Sequence, residues 1–351
     1  MMRALTVEPG RAHSLRLEYV PVPQADEGMV IARTLAVGVC GTDREIIAGG
    51  RGSAPSGQSR LIIGHESLGQ VDEAPPGCDL TAGDLVVGIV RRPDPLPCRY
   101  CAAGEWDMCV NGLYLERGIK GLHGYGSDYF CVEPEFAICV PPALGDLGVL
   151  LEPTSIVAKA WEHVERIGGR TRAWSPRRVL VTGAGPIGLI AALIGKQRGL
   201  EVHVMDRVTD GPKPRLVREL GATYHQGRLP DSAELMPDIV MECTGAPSVI
   251  FDVLCRSAPS GIVCLAGLSS GQHRIALDLA ALNRSMVLEN DVVFGSVNAN
   301  RSHYEMAAEM LLRADPNWLS QLISRRVPLA EWRSAFERRD GDVKVVLDFT
   351  R

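Results

Sequence analysis

Gly183-Ala184-Gly185-Pro186-Ile187-Gly188 follows the apolar run Val179-Leu180-Val181 and opens an apolar stretch from Leu189 to Ile194. That order reads as strand, tight glycine turn and helix, the βα element that seats a dinucleotide pyrophosphate on a helix N-terminus. The glycine spacing alone is weak evidence, because glycines also serve ordinary turns. Its context strengthens it. An acid, Asp206, ends the next apolar run, 23 residues after Gly183, close to the roughly 20 expected for a carboxylate on the adenosine ribose. Asp206 favours NAD, since a carboxylate accepts from the ribose 2′-hydroxyl and repels a 2′-phosphate. Arg207 beside it can pair with that phosphate and keeps NADP open. The bland reading of Arg207 is a solvated side chain or a stack on adenine.

The chain is 351 residues long, enough for two domains, and the fingerprint sits at its middle. Residues 1 to about 150 read as β-rich, with short runs such as Val30-Ile31-Ala32 and Leu85 to Val90 broken by Gly, Pro and Asp. Gly49 to Gly57, dense in glycine, reads as a mobile surface loop. After about 155 a helix over 156–167 leads into strands near 178–182, 201–205, 238–242, 261–265 and 291–295. Helices near 186–198, 213–220 and 247–256 alternate with them. Such alternation implies right-handed βαβ units on a parallel sheet, an α/β fold. A helix over 302–313 and a closing strand over 343–347 return to the first domain.

Composition narrows the partners. A net charge of −5 argues against a nucleic-acid groove, and the pairs Arg91-Arg92 and Arg325-Arg326 read as local ion pairs or ligand contacts. No apolar run approaches the roughly 20 residues of a membrane span. Met1-Met2-Arg3-Ala4 lacks the apolar core of a signal peptide, so a cytoplasmic location is expected. Ten cysteines in such a chain do not read as a disulfide framework. Cys131, Cys139, Cys243 and Cys264 lie in apolar runs and read as small buried hydrophobes.

Other residues suggest metal chemistry. Cys40 lies in Gly38-x-Cys40-Gly41-Thr42-Asp43, and His65 and Glu66 lie in Gly64-His65-Glu66-x-x-Gly69. Glu152 precedes Pro153 near the domain switch. Thiolate, imidazole and carboxylate are the ligands of catalytic zinc. Singly, each also has a dull explanation in packing or hydrogen bonding.

These motifs, in this order with the mid-chain fingerprint, resemble the zinc-containing medium-chain dehydrogenase/reductase superfamily over essentially the whole chain. Four further segments resemble its glucose (aldose) 1-dehydrogenase branch more specifically: Arg91-Arg92, Gly104 to Cys109, Tyr114 to Ile119, and Gly295-Ser296-Val297-Asn298. The resemblance implies a β-rich GroES-like catalytic domain over 1–155 and 296–351 and a Rossmann domain over 156–295. It implies a catalytic zinc on Cys40, His65 and Glu152, with Glu66 ligating directly in some states or through water. Thr42 matches the hydroxyl that hydrogen-bonds the reacting alcohol, and Glu116 and Asn298 match residues that hold sugar hydroxyls. For Glu116 the alternative is a surface pair with Arg117. Gly183, Gly185, Pro186, Ile187, Gly188, Asp206, Arg207, Thr244 and Asn298 fall where the cofactor binds.

Cys98, Cys101 and Cys109 resemble a structural zinc lobe that normally carries four cysteines. Pro95 stands at the first position, and Asp94 can supply the fourth ligand; the alternative is three free thiols. The implied reaction is oxidation of an aldose at C1 to its lactone, with hydride passing to NAD or NADP. A ketone product would point to another secondary alcohol, polyol or modified sugar, and metal-independent turnover to a zinc-free reductase. A non-catalytic nucleotide-binding protein would be expected to lack the zinc ligands. A homodimer or homotetramer is expected from the apolar strand near 292–297.

Overall fold

Six parallel strands carry the second half of the chain. In spatial order they are Thr223–Gln226, Glu201–Asp206, Arg178–Thr182, Ile239–Glu242, Ile262–Leu265 and Val292–Gly295. Numbered along the chain this is 3-2-1-4-5-6, the doubly wound Rossmann order, whose switch point lies between Arg178–Thr182 and Ile239–Glu242. Leu180, Met205, Val240 and Val263 pack with Val253 and Leu235 in its core. The helix Pro186–Gln197 starts with proline in its first turn, where a missing N–H costs nothing, and is buried from Gly188 to Gly195.

The computed structural model describes residues 1–23, 28–227, 235–254, 256–270 and 276–351. They fall into two units, Met1–Ser155 with Asn298–Arg351, and Ile156–Val297. Among the described residues no helix is long and apolar enough to cross a membrane.

In the first unit Val30–Val39 is the central strand. It pairs antiparallel with Glu66–Glu73, Tyr129–Val132 and the late strand Lys344–Asp348. Lys344–Asp348 in turn pairs with Ile323–Pro328, so the chain's last strand lies inside the sheet. A separate small sheet joins Arg91–Arg92, Leu115–Arg117 and Gly121–Leu122.

Several sequence expectations change. The strand from Leu85 stops at Gly88, where a Cβ would meet the Tyr125 hydroxyl at 2.1 Å. The helix read from 156 begins at Leu151, which places Glu152 in its first turn. Thr223–Gln226 was not expected, because Thr-Tyr-His-Gln offers no apolar run and forms an exposed edge. Gly49 to Gly57 is irregular but anchored, with Ser53 N donating to Ile119 O at 3.0 Å. Cys139 is exposed and Cys131 and Cys243 are only half-buried; of the four strand cysteines Cys264 alone is buried. Cys139 is the exposed last residue of Ala137–Cys139, after the buried Ala137 and Ile138. The helix read over 247–256 is Pro247–Leu254, and Cys255 lies outside the described residues.

Candidate active site

Two short segments bring the metal-type donors together. Cys40 ends the central strand and caps the helix Gly41–Ile47, its N–H donating to Asp43 Oδ2 at 2.8 Å. His65 and Glu66 enter the neighbouring strand, whose register sets Glu66 opposite Gly38. Gly38 has to be glycine, since a Cβ there would lie 2.0 Å from Glu66 Oε2. Ligand atoms of Cys40, His65 and Glu66 all lie within 4.8 Å of one another. Glu152 is not a member of that trio. It is buried, and the charges of His65 and Glu66 reach it.

The surroundings make this a charge-dense pocket. His65 Nδ1 faces Asp43 Oδ1 at 3.3 Å, which leaves Nε2 to a ligand and fixes the ring. Burial opposes the charge on Asp43, but His65 outweighs it and holds the carboxyl below its usual range. Burial likewise opposes protonation of His65, and Asp43 with Cys40 lifts it well above the ordinary imidazole value. Lys344, 3% exposed, places Nζ 2.6 Å from both Glu66 oxygens. Burial pushes the Glu152 carboxyl up to about 8; His65 opposes this and Glu66 adds to it. Four acidic groups (Cys40, Asp43, Glu66 and Glu152) thus face one lysine and one imidazole. A divalent cation would offset much of that acidic crowding, and its soft and hard donors suit zinc. Thr42 is half-buried in the first helical turn after Cys40.

A second polar knot lies in the same unit. Glu116 is buried and does not pair with Arg117. Its Oε1 accepts from Arg91 Nη2 at 2.9 Å, Arg91 Nε at 3.2 Å and Asn298 Nδ2 at 2.7 Å. Strand alternation turns Arg117 to the opposite face, toward Glu133 at 3.6 Å. Asn298 holds φ at 62°, a left-handed conformation that asparagine tolerates, and its Oδ1 accepts from Ala299 N at 2.9 Å. Arg325 pairs with Asp342 at 2.8 Å, so both arginine pairs serve local ion pairs.

In the second unit the fingerprint forms the expected turn. Gly183 has φ of +90°, and a Cβ on Gly188 would fall 1.8 Å from Gly183 O, so helix and strand meet through two glycines. Asp206 closes the loop. Its Oδ2 accepts from Ala184 N at 2.6 Å and its Oδ1 from Val208 N at 3.1 Å. Arg207 is exposed. The Thr244 methyl lies 3.0 Å from an ideal Cβ on Gly183, so Thr244 packs against the fingerprint.

The three lobe cysteines converge, with sulfurs of Cys98, Cys101 and Cys109 all within 4.8 Å. Asp94 Oδ2 reaches Cys109 Sγ at 3.9 Å but is not within that distance of all three. Backbone N–H groups of Cys101 and Val110 pull the Cys98 thiol down to about 6, toward the thiolate that a metal requires.

Asp43 and Arg91 stand inside the quoted motifs without a role assigned to them, and Lys344 and Glu242 stand outside every motif. Glu242 carried a signal, a single charge in an otherwise apolar strand, and Lys344 opens an apolar run that Asp348 closes.

Two family models cover the chain. Residues 26–142 match the alcohol dehydrogenase GroES-like domain, and residues 145–349 match the glucose dehydrogenase C-terminus. A glucose 1-dehydrogenase of Methanocella arvoryzae is 42% identical over 99% of both chains. A glucose 1-dehydrogenase of Thermoproteus tenax is 41% identical over 99% of both. The structure of Haloferax mediterranei glucose dehydrogenase in complex with NADP, Zn and gluconolactone matches with a TM-score of 0.92 and 33% identity, covering 100% of each chain. With its two-domain fold, full-length relatives and C-terminal family match, this chain belongs to the glucose 1-dehydrogenase family of zinc-containing medium-chain dehydrogenases.

Proposed function

We propose that this protein oxidises an aldose of the glucose type at C1 to its lactone, passing hydride to NAD(P). The observation that carries this reading is the convergence of Cys40, His65 and Glu66 within 4.8 Å in a buried, net-acidic pocket. Cys40, His65 and Glu152 would hold the zinc, with Glu66 alongside. When bound, the zinc supplies Lewis-acid polarisation of the reacting hydroxyl.

The chain's own residues do the rest. Asp43 faces the His65 ring, and Lys344 pairs with Glu66 in a buried setting. Thr42 accepts the hydrogen bond of the reacting hydroxyl and passes its proton outward. Glu116, with Oε1 engaged by Arg91 and Asn298, offers Oε2 to sugar hydroxyls, and Asn298 orients that carboxylate. The Gly183–Gly188 turn takes the pyrophosphate, Thr244 and Asn298 line the cofactor, and Asp206 takes the adenosine ribose. NAD is the preferred acceptor on the strength of Asp206, while exposed Arg207 admits NADP, the nucleotide in the Haloferax mediterranei complex.

A second, structural zinc on Cys98, Cys101 and Cys109, completed by Asp94, fits the lobe's donors. The unit of assembly is a homodimer or a homotetramer built from it. Val292–Gly295 is an edge strand of the six-stranded sheet, and nearby Leu279, Val287 and Leu288 are 66%, 67% and 74% exposed, a patch suited to a second copy.

Initial rates with aldoses and secondary alcohols, on NAD and NADP and with and without a zinc chelator, test this reading. Chelator-sensitive oxidation of glucose, galactose or xylose to a lactone is the expected outcome. His65→Ala should lower kcat by about a thousandfold or more while the Kd for NADH stays within about twofold. Turnover of secondary alcohols to ketones alone, or activity indifferent to thorough chelation, would overturn it.

A further inference from the structure

Glu242 is fully buried at the C-terminal end of its strand, at the switch point of the parallel sheet. In-register pairing sets it beside Thr182, the residue immediately before the fingerprint. Its carboxylate is bound by neutral donors from both sides. Oε1 accepts from Thr244 N at 2.7 Å, from Thr182 Oγ1 at 3.2 Å, from Gly245 N at 3.2 Å and from the Thr244 hydroxyl. Oε2 also takes Gly245 N at 3.2 Å.

The main chain of Glu242 holds the next loop as well. Its carbonyl accepts from Ala266 N and Gly267 N, both at 2.8 Å. Gly267 lies so close that a Cβ there would be 2.2 Å from Gly245 N and 2.7 Å from Glu242 Oε2. Ser269 Oγ closes the same pair of loops by donating to Gly245 O at 2.8 Å. One residue therefore ties together three strand ends, and these ends form the crevice where doubly wound sheets bind their ligands.

We propose that Glu242 is a positioning residue for the cofactor, fixing the Cys243–Ala246 turn so that Thr244 stands against the first fingerprint glycine. The proposal rests on the reading that this unit binds a nicotinamide dinucleotide. A carboxylate suits the task because it is acceptor-only and has room for about four donors. A glutamine of the same shape replaces one acceptor by an N–H₂ donor, which faces Gly245 N and leaves a buried amide without a partner.

The test is fluorescence titration of NADH and NADPH into the zinc-loaded enzyme, wild type against Glu242→Gln and Thr182→Val. Glu242→Gln should raise both Kd values about tenfold. The cofactor KM should rise by the same factor, while kcat at saturating cofactor and zinc content hold. Thr182→Val removes one donor and should raise both Kd values about threefold. A lower Tm with unchanged Kd values would show a purely structural role and overturn the proposal. Should Glu242→Gln fail to fold, Thr182→Val decides, and an unchanged Kd there overturns it. If the wild type binds neither dinucleotide, the cofactor reading itself falls and the proposal with it. Binding by the wild type that is undiminished in both variants removes Glu242 alone.

Discussion

The two units bury negative charge in opposite ways. Around Cys40 and His65 the acids are matched by cations: Lys344 on Glu66 at 2.6 Å and His65 on Asp43 at 3.3 Å. Glu152 is left with a carboxyl pushed up to about 8 and no cation of its own nearby except those shared ones. Around the fingerprint, Asp206 and Glu242 rest on backbone N–H groups and hydroxyls. A site stabilised by ions has a deficit that a further ion can fill. A site stabilised by amides has no such deficit; its carboxylates set the shape of the loops, and the glycines leave space for the ligand. The difference separates the Cys40–His65 pocket from the fingerprint crevice more clearly than residue types do, since both contain acids at least partly withdrawn from water.

Three substitutions bear on that contrast. Lys344→Met breaks it most severely, because it leaves Glu66 as a buried charge without a partner. The metal-free protein should lose roughly 3–5 kcal/mol of stability. Saturating zinc should restore a large part of that loss, whereas an equal deficit with and without zinc would show that the pocket has no need of a cation. Denaturant titrations of both forms measure it. Glu116→Gln comes next. It keeps the shape of the Arg91–Glu116–Asn298 knot but removes its charge, and the sugar KM should rise about tenfold with little change in the Kd for NADH. A sugar KM unchanged in steady-state assays would make Glu116 a packing residue.

The smallest effect concerns Asp342, which pairs with Arg325. Burial opposes its charge, but Arg325, with contacts at 2.8 and 2.9 Å, outweighs this and holds the carboxyl below its usual range. A depressed folded pKa stabilises fully above the ordinary carboxylate value of about 4 and is lost as pH falls through the folded value. Asp342→Asn should therefore cost on the order of 1 kcal/mol at pH 7, about 3 °C in Tm. The gap should hold down to about pH 5 and close below about pH 4. A gap independent of pH would show that the pair contributes no charge-dependent stability.

Periodicity and glycine placement made the second unit readable, because each strand except one is apolar and each loop carries its own signal. Thr223–Gln226 escaped since an edge strand needs no apolar face. The metal trio was legible only as motifs. The donors stand 25 residues apart in sequence between Cys40 and His65, and sheet register alone brings them together. Lys344 is 278 positions from Glu66, beyond any local pattern, and Glu116's true partners, Arg91 and Asn298, lie 25 and 182 positions away. Long-range pairing of polar groups leaves no trace in periodicity, so the charged partners were invisible while the backbone frame was not.

The strand Lys344–Asp348 lies inside a sheet whose other strands include Val30–Val39 and Glu66–Glu73. Synthesis proceeds from the N-terminus at about 5–20 residues per second, so this strand is made many seconds after the ones it joins. The contiguous stretch Ile156–Val297 is whole before then. A nascent chain can thus fold this parallel-sheet unit while the other half still shows an open sheet edge, the surface most prone to wrong pairing. Until Lys344 emerges from the ribosome, Glu66 lacks the ammonium that pairs with it in the finished sheet.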